Sequence, residues 1–159
     1  MGSYFLLPAV LAFLALTPIC YLTASATTVA FSVGKSSNQV VHGLAVITFD
    51  REFVNEGNAF DLLTSTFTCP QDGVYAFHLH GLSGGTHRRF LAGIYHNNDL
   101  MVTAYAKVRE FWSMGGNTVL LSLRVGDAVQ VKFVYGQNEL YGDNTELYTT
   151  FSGYLLSSS

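Results

Sequence analysis

The sequence predicts an all-β fold, an antiparallel two-sheet sandwich or jelly roll, on three observations. Hydrophobic residues recur with period two in segment after segment, turn residues interrupt them at short spacing, and no segment carries a convincing helical stripe. At 159 residues the chain is one domain's worth of sequence. Charged residues make up 12%, against a usual share of about 25%. With 12 Phe, 9 Tyr and 1 Trp, such a chain either buries a large core or covers part of its surface with partners. The same composition excludes disorder. Eleven carboxylates against eight Lys and Arg leave no basic stripe, so nothing supplies the electrostatic footprint of a nucleic-acid binder.

The elements follow in chain order. Residues 1–26 read as a secretory signal peptide: an apolar run from Phe5 to Leu16, then Pro18, then small residues at Ala24-Ser25-Ala26, with cleavage after Ala26. The mature protein, residues 27–159, is then expected to be extracellular with no membrane insertion. Cys20 leaves with the leader, so Cys69 remains without a disulfide partner and core burial must hold the fold. Turns are expected at Gly34, at "NEGN" 55–58, "PQDG" 70–73, "SGG" 83–85, "HNND" 96–99, "GGN" 115–117, "VGD" 125–127 and "YGDN" 141–144. Between them, "GVYAFHLHG" puts Tyr75, Phe77 and Leu79 on one face and Ala76, His78 and His80 on the other. "TAYAKVREFW" at 103–112 comes nearest to a helix, and its β-branched and aromatic residues suit a strand and loop as well. "NTVLLSLRVGD" alternates Val119, Leu121, Leu123 and Val125 with Leu120, Ser122 and Arg124. "DAVQVKFVYG" sets Val129, Val131, Phe133 and Tyr135 against Gln130 and Lys132.

Phe49, Asn55, Phe60, Phe67, Gly73, Tyr75 and Phe77 reproduce, gap for gap, the signature of the globular C1q domain. "LSLRVGDAVQV", with Gly126 and Asp127, resembles that family's strand–GD–strand element, and "FSGYLL", with Phe151 and Gly153, resembles its closing strand. "FDREFVNEGNAFD" looks closest to the cerebellin-like branch. One departure is Leu79, where the signature expects Phe or Tyr. The resemblance implies a ten-stranded jelly roll of the C1q and tumour-necrosis-factor superfamily, assembled as a homotrimer. No Gly-X-Y run is present, so the chain resembles the secreted, head-only type. The role implied is recognition: carbohydrate or microbial surface ligands in the manner of an innate-immune lectin. The alternatives are a cerebellin-like trimer bridging protein ectodomains, or an extracellular matrix component.

The chemistry-bearing residues divide on physical grounds. Cys69 reads as a core thiol, because a nucleophile needs a neighbouring base or helix end to lower its pKa. His78 and His80 share one strand face with Cβ atoms about 7 Å apart. A metal there would need a third ligand from His42, His87 or His96, and a structural pair is the simpler reading. No G-x-S-x-G, H-E-x-x-H or phosphate-cradling motif appears, so no enzyme is expected. The loop "GQNELYGDNTELY", 136–148, offers ligand-binding candidates in Glu139, Tyr141, Asp143, Asn144 and Glu146. The tyrosines Tyr141 and Tyr148 suit sugar or protein contact. Asp143, Glu139 and Glu146 are candidate Ca²⁺ ligands, and the resemblance supports calcium near the apex of the head. Arg88 and Arg89, with Lys107 and Arg109, are candidates for an anionic ligand.

Overall fold

The computed structural model describes residues 28–84 and 89–158. The expected signal peptide, Cys20, His87 and Arg88 lie outside the described residues. In chain order the strands are β1 (Ala30–Lys35), β2 (Gln39–His42), β3 (Ala45–Val46), β4 (Arg51–Glu56), β5 (Phe60–Asp61) and β6 (Thr66–Thr68). There follow β7 (Gly73–Ser83), β8 (Arg89–His96), β9 (Asp99–Lys107) and β10 (Ser113–Leu123), then β11 (Ala128–Phe133), β12 (Gln137–Leu140) and β13 (Thr149–Ser158). Among these thirteen segments, ten are four residues or longer; β3, β5 and β6 are two or three residues each.

Two antiparallel sheets face each other. The first has the order β10-β7-β13-β1-β4, and the second runs β5-β6-β11-β8-β9 with β3 beside β11. A small two-stranded ribbon, β12-β2, forms a ladder of its own, with Leu140 of β12 buried in the core. The period-two reading is why the sheets pack: Tyr75, Phe77 and Leu79 of β7 and Val129, Val131 and Phe133 of β11 are fully buried. Phe31 stands at the centre of the core. Its ring lies 4.7 Å from Phe60, 5.4 Å from Phe67 and 5.1 Å from Phe151, joining residues of both sheets in one aromatic cluster. Fully burying each such ring is worth about 1.5–3 kcal/mol. The signature positions Phe49, Phe60, Phe67, Tyr75, Phe77 and Phe151 all belong to this core, and Gly153 is paired with Phe31 and Phe77. Asn55 holds the turn after β4, accepting from Phe60 N at 3.1 Å and donating to Phe60 O at 2.9 Å.

Four expectations are corrected. Gly34 is not a turn but lies within β1, paired with Thr150 on one side and Arg51 on the other. "GGN" 115–117 is not a turn but lies inside β10. A Cβ at Gly115 would come within 2.7 Å of the Tyr105 backbone, so glycine here lets β9 run close against β10. Tyr135 is 63% exposed and Val125 is 66% exposed, each placed on a core face by pattern alone. β11 ends at Phe133 and β10 at Leu123, and beyond those residues the alternation no longer has a sheet to face. In that second turn Asp127 accepts from Arg124 N at 2.9 Å and Asn97 Nδ2 at 2.7 Å, with His96 Nε2 at 3.1 Å. These donors, led by the Arg124 amide, hold its carboxyl down at a pKa of about 2. The Gly126–Asp127 element thus ties the β10–β11 turn to the β8–β9 turn.

The segment "FTCPQDGVYAFHLHG" is the end of β6, a turn and most of β7. Cys69 is 1% exposed, and its Sγ and the Tyr75 hydroxyl both donate to Gln71 O, at 3.0 and 2.8 Å. Burial pushes the thiol pKa up. His78 Nδ1 lies 3.0 Å from Thr118 Oγ1, and its ring stacks on Tyr154 at 5.7 Å. Both are structural roles.

Candidate functional site

Strand direction sorts the loops into two ends. Ala30 pairs with Tyr154 and Lys35 with Thr149, while Gly73 pairs with Leu123 and Ser83 with Ser113. The chain therefore enters β1 and leaves β13 at one end, called proximal. Strands β1, β7, β9 and β11 end, at Lys35, Ser83, Lys107 and Phe133, at the other, distal end. Most of the loop 136–148 is thus gathered with the β9–β10 loop.

At that end the loops are tied to each other by named contacts. Tyr141 N donates to Leu82 O at 2.8 Å, docking the loop beside the end of β7. Gly142 N donates to Asn38 Oδ1 at 3.0 Å, and Arg51 donates to Asn144 Oδ1. Asp143 Oδ1 accepts from Thr145 N (2.7 Å), Thr145 Oγ1 (2.5 Å) and Glu146 N (2.9 Å), which fixes the turn. The Thr145 hydroxyl is the largest cause of its lowered pKa, about 2. Asp143 Oδ2 faces the Tyr141 hydroxyl at 3.5 Å.

Three rings form a wall. Trp112 meets Tyr141 with centroids 4.3 Å apart and planes at 60°, and Tyr141 meets Tyr148 at 6.1 Å and 43°. With Leu82 and Met114 they line an apolar pocket of about 330 Å³. Trp112 rests on Gly84, where an added Cβ would come within 2.0 Å of the indole. The sequence pattern brought out Tyr141 and Tyr148 but missed Trp112, which lies 29 residues from Tyr141 in the chain; its signal was that it is the only tryptophan.

Other candidates fall elsewhere. Glu139 lies on β12, paired with Val40 of β2. Glu139, Asp143 and Glu146 do not assemble a cation site: among the described residues no group of three or more His, Cys, Asp or Glu side chains could hold a metal ion. The reason is local, since Asp143 Oδ1 is already occupied by its own turn and Glu139 belongs to a separate strand pair. Arg89 pairs with Lys107 across β8–β9, as an anion patch would need. Its guanidinium, however, donates to Tyr135 O at 2.7 Å and Gln137 O at 3.2 Å and lies over the Tyr135 ring. Arg89 thereby braces the distal loop.

On the outer face of the first sheet, Leu120 and Tyr154 flank Ala76, and Thr118 and Ser152 flank His78. Ser32 and Val54 continue the second row. Leu120 is 60% exposed and Tyr154 41%. These two rows carry small, apolar and neutral polar side chains, with Glu56 at the edge of the first.

Comparison with known proteins agrees with this architecture. The C1q domain family model matches residues 30–156. Complement C1q tumor necrosis factor-related protein 6 of Mus musculus is 33% identical over 132 residues, covering 81% of this chain and 50% of its own length. Complement C1q tumor necrosis factor-related protein 1 of Mus musculus is 33% identical over 132 residues, covering 80% and 46%. The chain thus spans about half the length of these curated relatives. The globular domain of zebrafish complement 1qA superposes with a TM-score of 0.67 at 19% identity, over 82% of this chain and 98% of that one. Eiger TNF from S. frugiperda superposes with a TM-score of 0.69 at 10% identity, over 84% and 95%. These structures share the jelly roll, and the sequence match carries the rest: the chain belongs to the C1q domain family.

Proposed function

We propose that this protein is a secreted, non-catalytic recognition molecule that binds carbohydrate or microbial surface ligands through its distal loops as a homotrimer. The observation that carries the reading is the convergence of aromatic and charged side chains from separate loops at the end opposite both strand termini. Trp112, Tyr141, Tyr148 and Asp143 come together there, on a scaffold whose core is a closed aromatic cluster. Self-assembly is supported by the outer face of the first sheet, where Leu120 and Tyr154 stand exposed in a row whose one carboxylate, Glu56, lies at its edge. Three such heads on one rigid particle would gain avidity without new contacts.

The test is binding of the purified protein to a glycan and whole-microbe panel, with and without EDTA. Saturable binding reduced by Trp112→Ala and Tyr148→Ala is expected, and it should persist in EDTA, since among the described residues no group of three or more His, Cys, Asp or Glu side chains could hold a metal ion. Failure of a folded trimer to bind the panel, together with saturable binding to one ectodomain protein, would replace this reading by the bridging role.

A further inference from the structure

We infer that the Trp112–Tyr141–Tyr148 pocket is a site for an alkylated or protonated amine, the trimethylammonium group of a choline-type ligand being the best fit. This rests on the distal-end recognition just proposed and names the ligand class of that site. Electron-rich ring faces attract a cation, and tryptophan does so most strongly. Here one indole and two phenols, tilted successively by 60° and 43°, line one common space. Leu82 and Met114 complete the lining with apolar surface suited to the methyl groups of an alkylated ammonium. About 330 Å³ accommodates such a group with room for the chain that bears it.

Charge complementarity decides between a cation and a neutral apolar guest. Asp143 adjoins the hydroxyl end of the Tyr141 ring. Its Oδ1 is taken by the turn, while Oδ2 accepts from the Tyr141 hydroxyl at 3.5 Å, which sets the negative charge beside the pocket, behind its Tyr141 wall. Donors to this carboxylate keep it ionised throughout the physiological range. A neutral hexose would use the rings but gain little from the fixed negative charge; a quaternary ammonium uses both.

The experiment titrates the purified protein with choline and with its uncharged isostere, 3,3-dimethylbutan-1-ol, following the fluorescence of Trp112, the chain's single tryptophan. A saturable change with choline is expected, with the isostere about tenfold weaker. Asp143→Asn keeps a side-chain carbonyl for the turn but removes the charge, and should weaken choline severalfold while leaving the isostere unchanged. Tyr148→Ala, which keeps the reporter, should weaken choline as well. Equal affinity for choline and isostere would overturn the proposal in favour of a plain apolar pocket. So would the absence of any choline response in protein with a cooperative melt, as when a second copy fills the space. The glycan and microbe panel, run on the same preparation, separates the two readings. Panel binding without a choline response sinks the amine site alone, and a choline response without panel binding sinks the glycan reading alone.

Discussion

Cys69, Asp127 and Trp112 show three degrees to which a residue's role can be read before its surroundings are known. Cys69 was legible, because a lone thiol next to a strand is most often core, and burial at 1% exposure makes it so. Thiol labelling of the native protein should therefore be at least about a hundredfold slower than in denaturant, as access requires opening of the fold. Rapid native labelling would contradict the packing. Asp127 was legible as part of a GD turn, but its partners Asn97 and His96 come from another hairpin. Its carboxyl pKa falls from the ordinary 3.8 to about 2, so the carboxylate is favoured in the folded state. That contribution is complete above about pH 4 and is lost as pH falls towards 2. The melting temperatures of the wild type and Asp127→Asn should accordingly differ at pH 6 and converge by pH 2; a constant gap would show the charge to be immaterial. Trp112 was not legible, because only the tertiary fold sets it against Tyr141.

Strands were readable where both neighbours supply a sheet and unreadable where they stop. β7 alternates over its inward positions as the sequence says, from Tyr75 to Leu79. Tyr135 and Val125 continue the same alternation past the last ladder pair, and exposure follows from the missing partner rather than from any change in hydrophobicity. Conversely, Gly115 and Gly116 carry the marks of a turn yet remain in β10, because close approach of β9 at Gly115 and of β7 at Gly116 asks for glycine as much as a bend does. The loop 136–148 resisted reading for a related reason. Its oxygen-rich composition matches a cation loop, but Asp143 satisfies the backbone of its own turn.

At the scale of the molecule, the composition that implied either a large core or a covered surface meets a buried aromatic core, with Leu120 and Tyr154 left exposed on the face built on Ala76 and His78. Sedimentation equilibrium should give three times the mass of one chain at micromolar concentration. Because Leu120 and Tyr154 are exposed in the single chain, Leu120→Lys and Tyr154→Lys should yield monomers with a cooperative melt. Trimers that tolerate both would move the interface elsewhere. The start of β1 and the end of β13 both lie at the proximal end, and this bears on how such measurements are set up. Of the three lysines, Lys35 is buried with its Nζ on Thr48 O at 2.8 Å, which leaves Lys132 and the exposed Lys107, and Lys107 is at the distal rim. Random amine coupling to a sensor chip would anchor a fraction of the molecules by the very end that should meet the analyte. A tag following β13 would orient the molecules with the distal end outward, so a difference in active fraction between the two chemistries would itself report which end binds.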